Sequence, residues 1–241
     1  MKLFLFDLDG TLLTTDGAGR AALKLASADV LGVDEDLNDI VVSGNTDSNI
    51  CREILAKHRL PFAESTLNQL LGAYLARLVD QLKVKPGRVL PGVVALLEFI
   101  GRTTAAKGLL TGNLRRGADL KLRTHNLSRY FDFGAFGDDS FDRNNLGPIA
   151  LGRAQARYKT RIVPADTYVI GDTPRDVACA RAFDAKAVAV ATGYYSMEEL
   201  AETQPDFLWP DLSDLPEVRR QLGLLANEQE AVAPMPDHAG R

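Results

Sequence analysis

The chain has 241 residues, with 28 Lys and Arg against 32 Asp and Glu for a net charge of −4, and 46% of its residues are hydrophobic. That composition suits a folded chain long enough for a core domain carrying a smaller insert, and it argues against wholesale disorder. The slight acidic balance offers no basic surplus for nucleic acid or an anionic membrane, and the sequence has no aromatic–basic platform for single strands.

Nothing approaches the roughly 18–20 apolar residues that span a bilayer. The run Val93–Ile100 is broken by Glu98, and Met1–Phe6 is cut off as a leader by Asp7 and Asp9. A cytoplasmic protein is therefore expected. Cys51 and Cys179 lack metal-type spacing and are expected as buried, reduced thiols.

In chain order, Leu3–Phe6 is a short continuous apolar run, which predicts a strand covered on both faces, as in a parallel sheet. From about Thr14 to Lys85 no strand is evident. Leu23, Ala26, Val30 and Leu31 form one helical stripe, and Ile50, Ile54 and Leu55 begin another. Leu67, Leu70, Leu71, Tyr74, Leu75 and Leu78 form a third, and Lys85-Pro86-Gly87 marks a return hinge. Val93, Leu96, Leu97 and Ile100 then follow helical spacing after Pro91-Gly92.

Further strands are predicted at Gly108–Thr111, Gly134–Gly137, Tyr168–Ile170 and Ala187–Ala191, with Asp206-Phe207-Leu208 as an edge. Helices are predicted at Gly117–Leu127 and Ile149–Arg157, and after Thr173-Pro174-Arg175-Asp176 over Val177–Phe183. Alternating strands and helices predict an α/β core with a mainly parallel sheet, and the helical stretch predicts a small domain inserted after the first strand. The expected division is a core of 1–13 and 87–226, an insert of 14–86, and a Pro- and charge-rich tail of 227–241.

Ligands in such sheets bind beyond the carboxyl ends of strands. There Asp7 and Asp9 sit two residues apart, a spacing that sends both side chains the same way in extended chain, and Gly10 permits a sharp turn. A plain turn explains Gly10 but not a charge at the edge of an apolar strand. Leu110-Thr111-Gly112-Asn113 is a second strand end; it reads either as an anion-holding loop or as a turn with Asn113 capping a helix. Asp172, after Val169-Ile170-Gly171, has no capping role, whereas Asp176 at the third helical position reads either as a functional acid or as one that only stabilises the helix.

Carboxylates of Asp7, Asp9 and Asp172 gathered at neighbouring strand ends repel one another, by about 4 kcal/mol per pair at 4 Å and an effective dielectric near 20. A hard divalent cation relieves this, and an all-oxygen donor set selects Mg²⁺. His58, His125 and His238 read as surface residues rather than ligands.

These residues resemble the haloacid dehalogenase (HAD) superfamily, specifically its phosphatases of the phosphoglycolate phosphatase type. The resemblance covers about residues 1–215 and rests on Asp7-Leu8-Asp9-Gly10-Thr11, on Thr111, and on Gly171-Asp172 with Asp176. It implies a Rossmann-like core under an α-helical cap, and Mg²⁺ held by Asp7, Asp172 and the backbone carbonyl of Asp9. It implies that Asp7 is the nucleophile, that Asp9 is general acid and then base, and that Thr111 binds phosphate, with Gly112 and Asn113 beside it. Thr11 and Asp176 are expected to support the metal ligands.

The sequence departs from that pattern at the basic residue before the last motif. Where the family has a Lys, this chain reads Asp142-Arg143-Asn144-Asn145, with no Lys between Lys121 and Lys159. Arg143 is the substitute by charge and Asn145 by spacing, and the plain alternative makes Arg143 a surface loop residue.

The expected activity is Mg²⁺-dependent hydrolysis of a small phosphorylated metabolite. The competing readings are a phosphomutase, a 2-haloacid dehalogenase (disfavoured by the second acid, Asp9) and a non-catalytic binding module on a degenerate core. Arg20, Lys24, Asn45 and Arg52 are polar groups of the insert that either face a substrate or, as expected of each, stay solvated.

Overall fold

The computed structural model describes residues 1–224; the 227–241 tail and His238 lie outside the described residues. The chain begins with β1 (Leu3–Phe6), whose side chains alternate between the two faces of a sheet. Phe4 and Phe6 enter one apolar cluster with Leu109, Ile170 and Val190. Leu3 and Leu5 enter a second with Leu110, Val169 and Ala189. Burial on both faces is why this strand reads as an unbroken apolar run. Each such side chain contributes about 1.5–3 kcal/mol by leaving water.

The sheet is built from β1 with β4 (Ala106–Leu110), β5 (Gly134–Ala135), β6 (Thr167–Gly171), β7 (Lys186–Val190) and β8 (Phe207–Trp209). All neighbours pair in parallel in the order β5-β4-β1-β6-β7-β8. Helices α4 (Val93–Gly101), α5 (Arg115–Thr124) and α9 (Leu215–Gln221) supply residues to the first cluster. Helices α6 (Leu146–Tyr158), α7 (Pro174–Arg181) and α8 (Met197–Glu202) supply the second. Because β1 lies between β4 and β6, the crossovers leave it in opposite directions. That reversal opens a crevice at the carboxyl ends of three adjacent strands.

Between β1 and β4 the chain forms α1 (Ala18–Leu31), α2 (Asp47–Lys57) and α3 (Glu64–Val84). Their apolar stripes meet in a third cluster around Leu23, Ile54, Leu70 and Tyr74. Two short strands absent from the expectation, β2 (Leu13–Thr14) and β3 (Arg88–Val89), pair antiparallel where the insert leaves and rejoins the core. Two residues are too few to show any periodicity.

The other boundaries shift modestly. β5 stops at Ala135, two residues before the predicted end, and α6 starts three residues earlier than expected, at Leu146, with Pro148 tolerated inside its first turn. Cys51 and Cys179 are both buried and unbridged. Among the described residues no helix is long and apolar enough to cross a membrane.

Candidate active site

Asp7 follows β1 directly, and its N–H donates to the Ile170 carbonyl at 2.9 Å, so the backbone continues the ladder one residue past the strand. Thr111 follows β4 and Asp172 follows β6, which brings all three to one crevice. Asp7 is 4% exposed, Asp172 3% and Thr111 0%. Gly10 turns the chain at φ 83°, and a Cβ at Gly10 or Gly193 would overlap the Asp172 carboxylate, so backbone closes over that acid from two sides.

Carboxylate oxygens of Asp7, Asp172 and Asp176 lie within 4.8 Å of one another. The expected convergence is therefore corrected in one member: the third carboxylate of this group is that of Asp176, not Asp9. Their environments differ. One oxygen of Asp176 takes Arg143, and the other accepts from Thr173 N at 3.0 Å and Thr173 Oγ1 at 2.7 Å. Asp176 thus caps α7 and anchors Arg143 together, and both of its oxygens are engaged. Asp172 has one oxygen, Oδ1, accepting from Thr11 Oγ1 at 3.0 Å.

Arg143 is the cation that reaches this cluster. Its side chain is 4% exposed, and Nη2 lies 3.0 Å from Asp7 Oδ1 and in contact with Asp176 Oδ1. Nη1 donates to the Gly44 carbonyl of the insert at 3.1 Å, and Nε is buried without an acceptor among the described residues. Asn145 instead donates to Ser140 at the surface. The surface-loop alternative for Arg143 is excluded by its burial.

Burial pushes the Asp7 carboxyl up to about 6, helped by Asp176 and Asp9 and opposed by Arg143. Burial, then Asp7 and Asp176, push Asp172 well above the ordinary carboxylate range. Burial works against the Arg143 charge, but Asp176 and Asp7 more than offset it and raise its pKa. The cluster is short of positive charge. Its donors are carboxylate oxygens alone, which fits a hard divalent cation rather than a nitrogen- or sulfur-seeking metal.

The Asp9 carboxylate turns away from the cluster. Its Oδ2 accepts from Asn113 Nδ2 at 2.8 Å and from Lys121 Nζ at 2.6 Å. Asn113 therefore does not cap α5, whose N-cap residue is Leu114. Its amide also donates to Thr111 Oγ1 at 2.8 Å, which leaves the Thr111 hydroxyl proton free for an anion. Lys121 is the residue the sequence reading passed over. Its signal was a lysine on the buried face of α5, sharing it with Gly117, Ala118 and Leu122 at helical spacing.

The insert covers the crevice. Asp47 N donates to the Gly112 carbonyl at 2.8 Å, and Leu114 N donates to Asp47 Oδ2 at 2.8 Å. Thr46 Oγ1 donates to the Phe141 carbonyl at 2.8 Å. Beneath lies a cavity of about 520 Å³, which Arg20, Asn45 and Arg88 line together with the acids, whereas Lys24 and Arg52 lie outside it. His58 pairs with Glu35 inside the insert and His125 with the Pro86 carbonyl, so neither histidine meets the acids.

The chain joins a six-stranded parallel sheet and a helical insert after its first strand to buried Asp7, Thr111 and Asp172 at three adjacent strand ends. A family model described as HAD-hydrolase-like matches residues 145–215. The chain is 26% identical over 224 residues to phosphoglycolate phosphatase from Vibrio parahaemolyticus, covering 90% of this chain and 96% of that one. It is 28% identical over 224 residues to phosphoglycolate phosphatase from Synechococcus elongatus, covering 92% and 99%. The fold matches the crystal structure of CbbY from Rhodobacter sphaeroides in complex with phosphate, with a TM-score of 0.74 at 19% identity over 89% of this chain and 96% of that one. The chain is thus similar over most of its length to phosphoglycolate phosphatases, and part of its C-terminal half matches the HAD-hydrolase-like model.

Proposed function

We propose that this chain is a Mg²⁺-dependent phosphatase that hydrolyses a small phosphate monoester through a phosphoryl group carried on Asp7. The observation that carries the reading is the buried pair Asp7 and Asp172 beside Arg143, an acid cluster held against strong desolvation. Asp7, Asp172 and the Asp9 carbonyl would hold the ion. When bound, Mg²⁺ neutralises charge between these carboxylates and a phosphate dianion. Thr11 keeps Asp172 oriented, and Asp176 serves Arg143 rather than the metal.

Asp7 presents one oxygen to phosphorus while Arg143 holds the other. The Asp7 oxygen–phosphorus bond forms as the ester P–O bond breaks, and Asp9 gives its proton to the departing alkoxide. Asp9 then takes a proton from the water that attacks the phosphorylated Asp7, and inorganic phosphate leaves. Thr111 and Arg143 stabilise charge on the equatorial oxygens, with Gly112 and Asn113 shaping the loop. A phosphate oxygen would also supply the acceptor that Arg143 Nε lacks.

Residues 14–86 act as a cap over a core of 1–13 and 87–226, and their closure excludes bulk water. Phosphoglycolate, the substrate named for the relatives, is the first candidate. The test is a panel of small phosphate esters with p-nitrophenyl phosphate as a generic probe, with and without Mg²⁺. Phosphate release that requires Mg²⁺ supports the reading. Chloride release from 2-haloacids without metal, or no release from any ester, contradicts it.

A further inference from the structure

The acid–base group of that proposal sits in an arrangement the chemistry above leaves unused. Lys121 rises from α5 with a side chain 5% exposed, and its ammonium lies 2.6 Å from Asp9 Oδ2 and 2.6 Å from Asn113 Oδ1. An ammonium only donates, so Asn113 must turn its oxygen toward Lys121. That orientation commits its two amide hydrogens to Asp9 Oδ2 and Thr111 Oγ1, both at 2.8 Å. Two donors thus fix one oxygen of Asp9. No hydrogen bond reaches Asp9 Oδ1 among the described residues.

Helix α5 turns this face inward, with Gly117, Ala118 and Leu122 buried alongside Lys121. A charge there costs several kcal/mol unless it is well paired, and an apolar side chain of similar length would fill the space at no such cost. The pairing Lys121 makes is with the one carboxylate whose aim decides proton delivery.

We infer that Lys121 is a positioning residue of this site: together with Asn113 it clamps Oδ2 of Asp9 so that Oδ1 is the oxygen presented to the leaving group. The inference rests on the phosphatase reading. In the step it serves, the Asp9 O–H bond breaks, the proton passes to the ester oxygen, and the P–O bond electrons stay on that oxygen as it leaves as an alcohol. A misplacement of about 1 Å in such a group costs on the order of 10²-fold in rate.

The experiment compares wild type, Lys121→Met, Asp9→Asn and the double variant on two esters with Mg²⁺ present. One is an alkyl phosphate, whose alkoxide needs the proton; the other is p-nitrophenyl phosphate, whose phenolate leaves without it. Lys121→Met should lose kcat on both, but roughly tenfold or more further on the alkyl ester, with KM little changed. In the Asp9→Asn background it should lower the alkyl rate no further, because both changes remove the same function.

Lys121→Arg retains donors for Asp9 and Asn113 and should restore part of the alkyl-to-aryl ratio. Equal losses on the two esters, an additive loss in the double variant, or an Arg variant with the same ratio as Met would each overturn the inference. Thermal melts of every variant separate a fold defect from this pattern. A wild type that hydrolyses neither ester overturns the phosphatase reading, and this inference with it; an active wild type with equal losses strikes the inference alone.

Discussion

Replacing Arg143 with Met tests how far the acid cluster depends on one cation. The guanidinium is 4% exposed and pairs with Asp7 and Asp176, which are equally hidden. Met fills much of the space, so the loss is electrostatic rather than a cavity. Removing one partner of a buried ion pair typically costs about 3–5 kcal/mol, because the remaining charges keep their desolvation penalty. For a chain of this size that is a fall in Tm of roughly 6–20 °C.

The loss should grow with pH. Without Arg143 the Asp7 carboxyl, already pushed up to about 6 by burial, rises further. The folded state then holds a proton that the unfolded chain releases, so stability falls as pH rises through that window. Mg²⁺ should restore part of the loss, and Arg143→Lys should lose less than Met because it keeps the charge. Differential scanning calorimetry at about pH 5 and pH 8, with and without Mg²⁺, reads all of this. A Met variant within about 1–2 °C of wild type at both pH values would refute the electrostatic reasoning.

Asp9→Asn should keep Mg²⁺ affinity by calorimetric titration yet lose about 10²–10⁴-fold in kcat on alkyl esters; near-normal turnover would remove its acid–base role. Gly10→Ala should destabilise the fold by at least about 2 kcal/mol and weaken Mg²⁺ binding, since the Cβ meets a positive φ and overlaps Asp172. Wild-type Tm and affinity in that variant would count against the packing argument. Burial pushes the Asp47 carboxyl up to about 6 from 3.8, against the pull of Lys121. The folded state therefore binds this proton more tightly than the unfolded chain, and about 3 kcal/mol of stability is lost between those two pH values as pH rises. Asp47→Asn keeps an acceptor for Leu114 N and should gain stability relative to wild type from pH 4 to pH 7 in urea titrations; a pH-independent difference would contradict this.

Much of the fold was legible because its strands announce themselves. Leu3–Phe6 is apolar at every position since both faces are covered, and the same holds for the runs ending at Leu110 and Gly171. The acids stood out for the complementary reason, charge where an apolar strand stops. Asp176 divides its two oxygens, one capping α7 at Thr173 and the other taking Arg143, and only the first contact is local enough to be read from the sequence.

What escaped depends on partners distant in sequence. Asp9 finds its partner in Lys121, 112 residues away, and that helix looked ordinary except for one lysine on its buried stripe. Asn113 read either as part of an anion-holding loop or as a helix cap, because its partner Asp9 lies 104 residues away. The β2–β3 pair is held by tertiary placement of the insert's two ends, with no local pattern to reveal it.

The most direct test of the central claim is to quench the protein in acid during turnover of a phosphate ester with Mg²⁺ and map any phosphoryl group by mass spectrometry. The account predicts one hydroxylamine-sensitive phosphoryl group on the peptide carrying Asp7, absent without Mg²⁺ and absent in Asp7→Asn, which should also show no turnover. Phosphate release that proceeds undiminished in Asp7→Asn, or a phosphoryl group on a different residue, would contradict it.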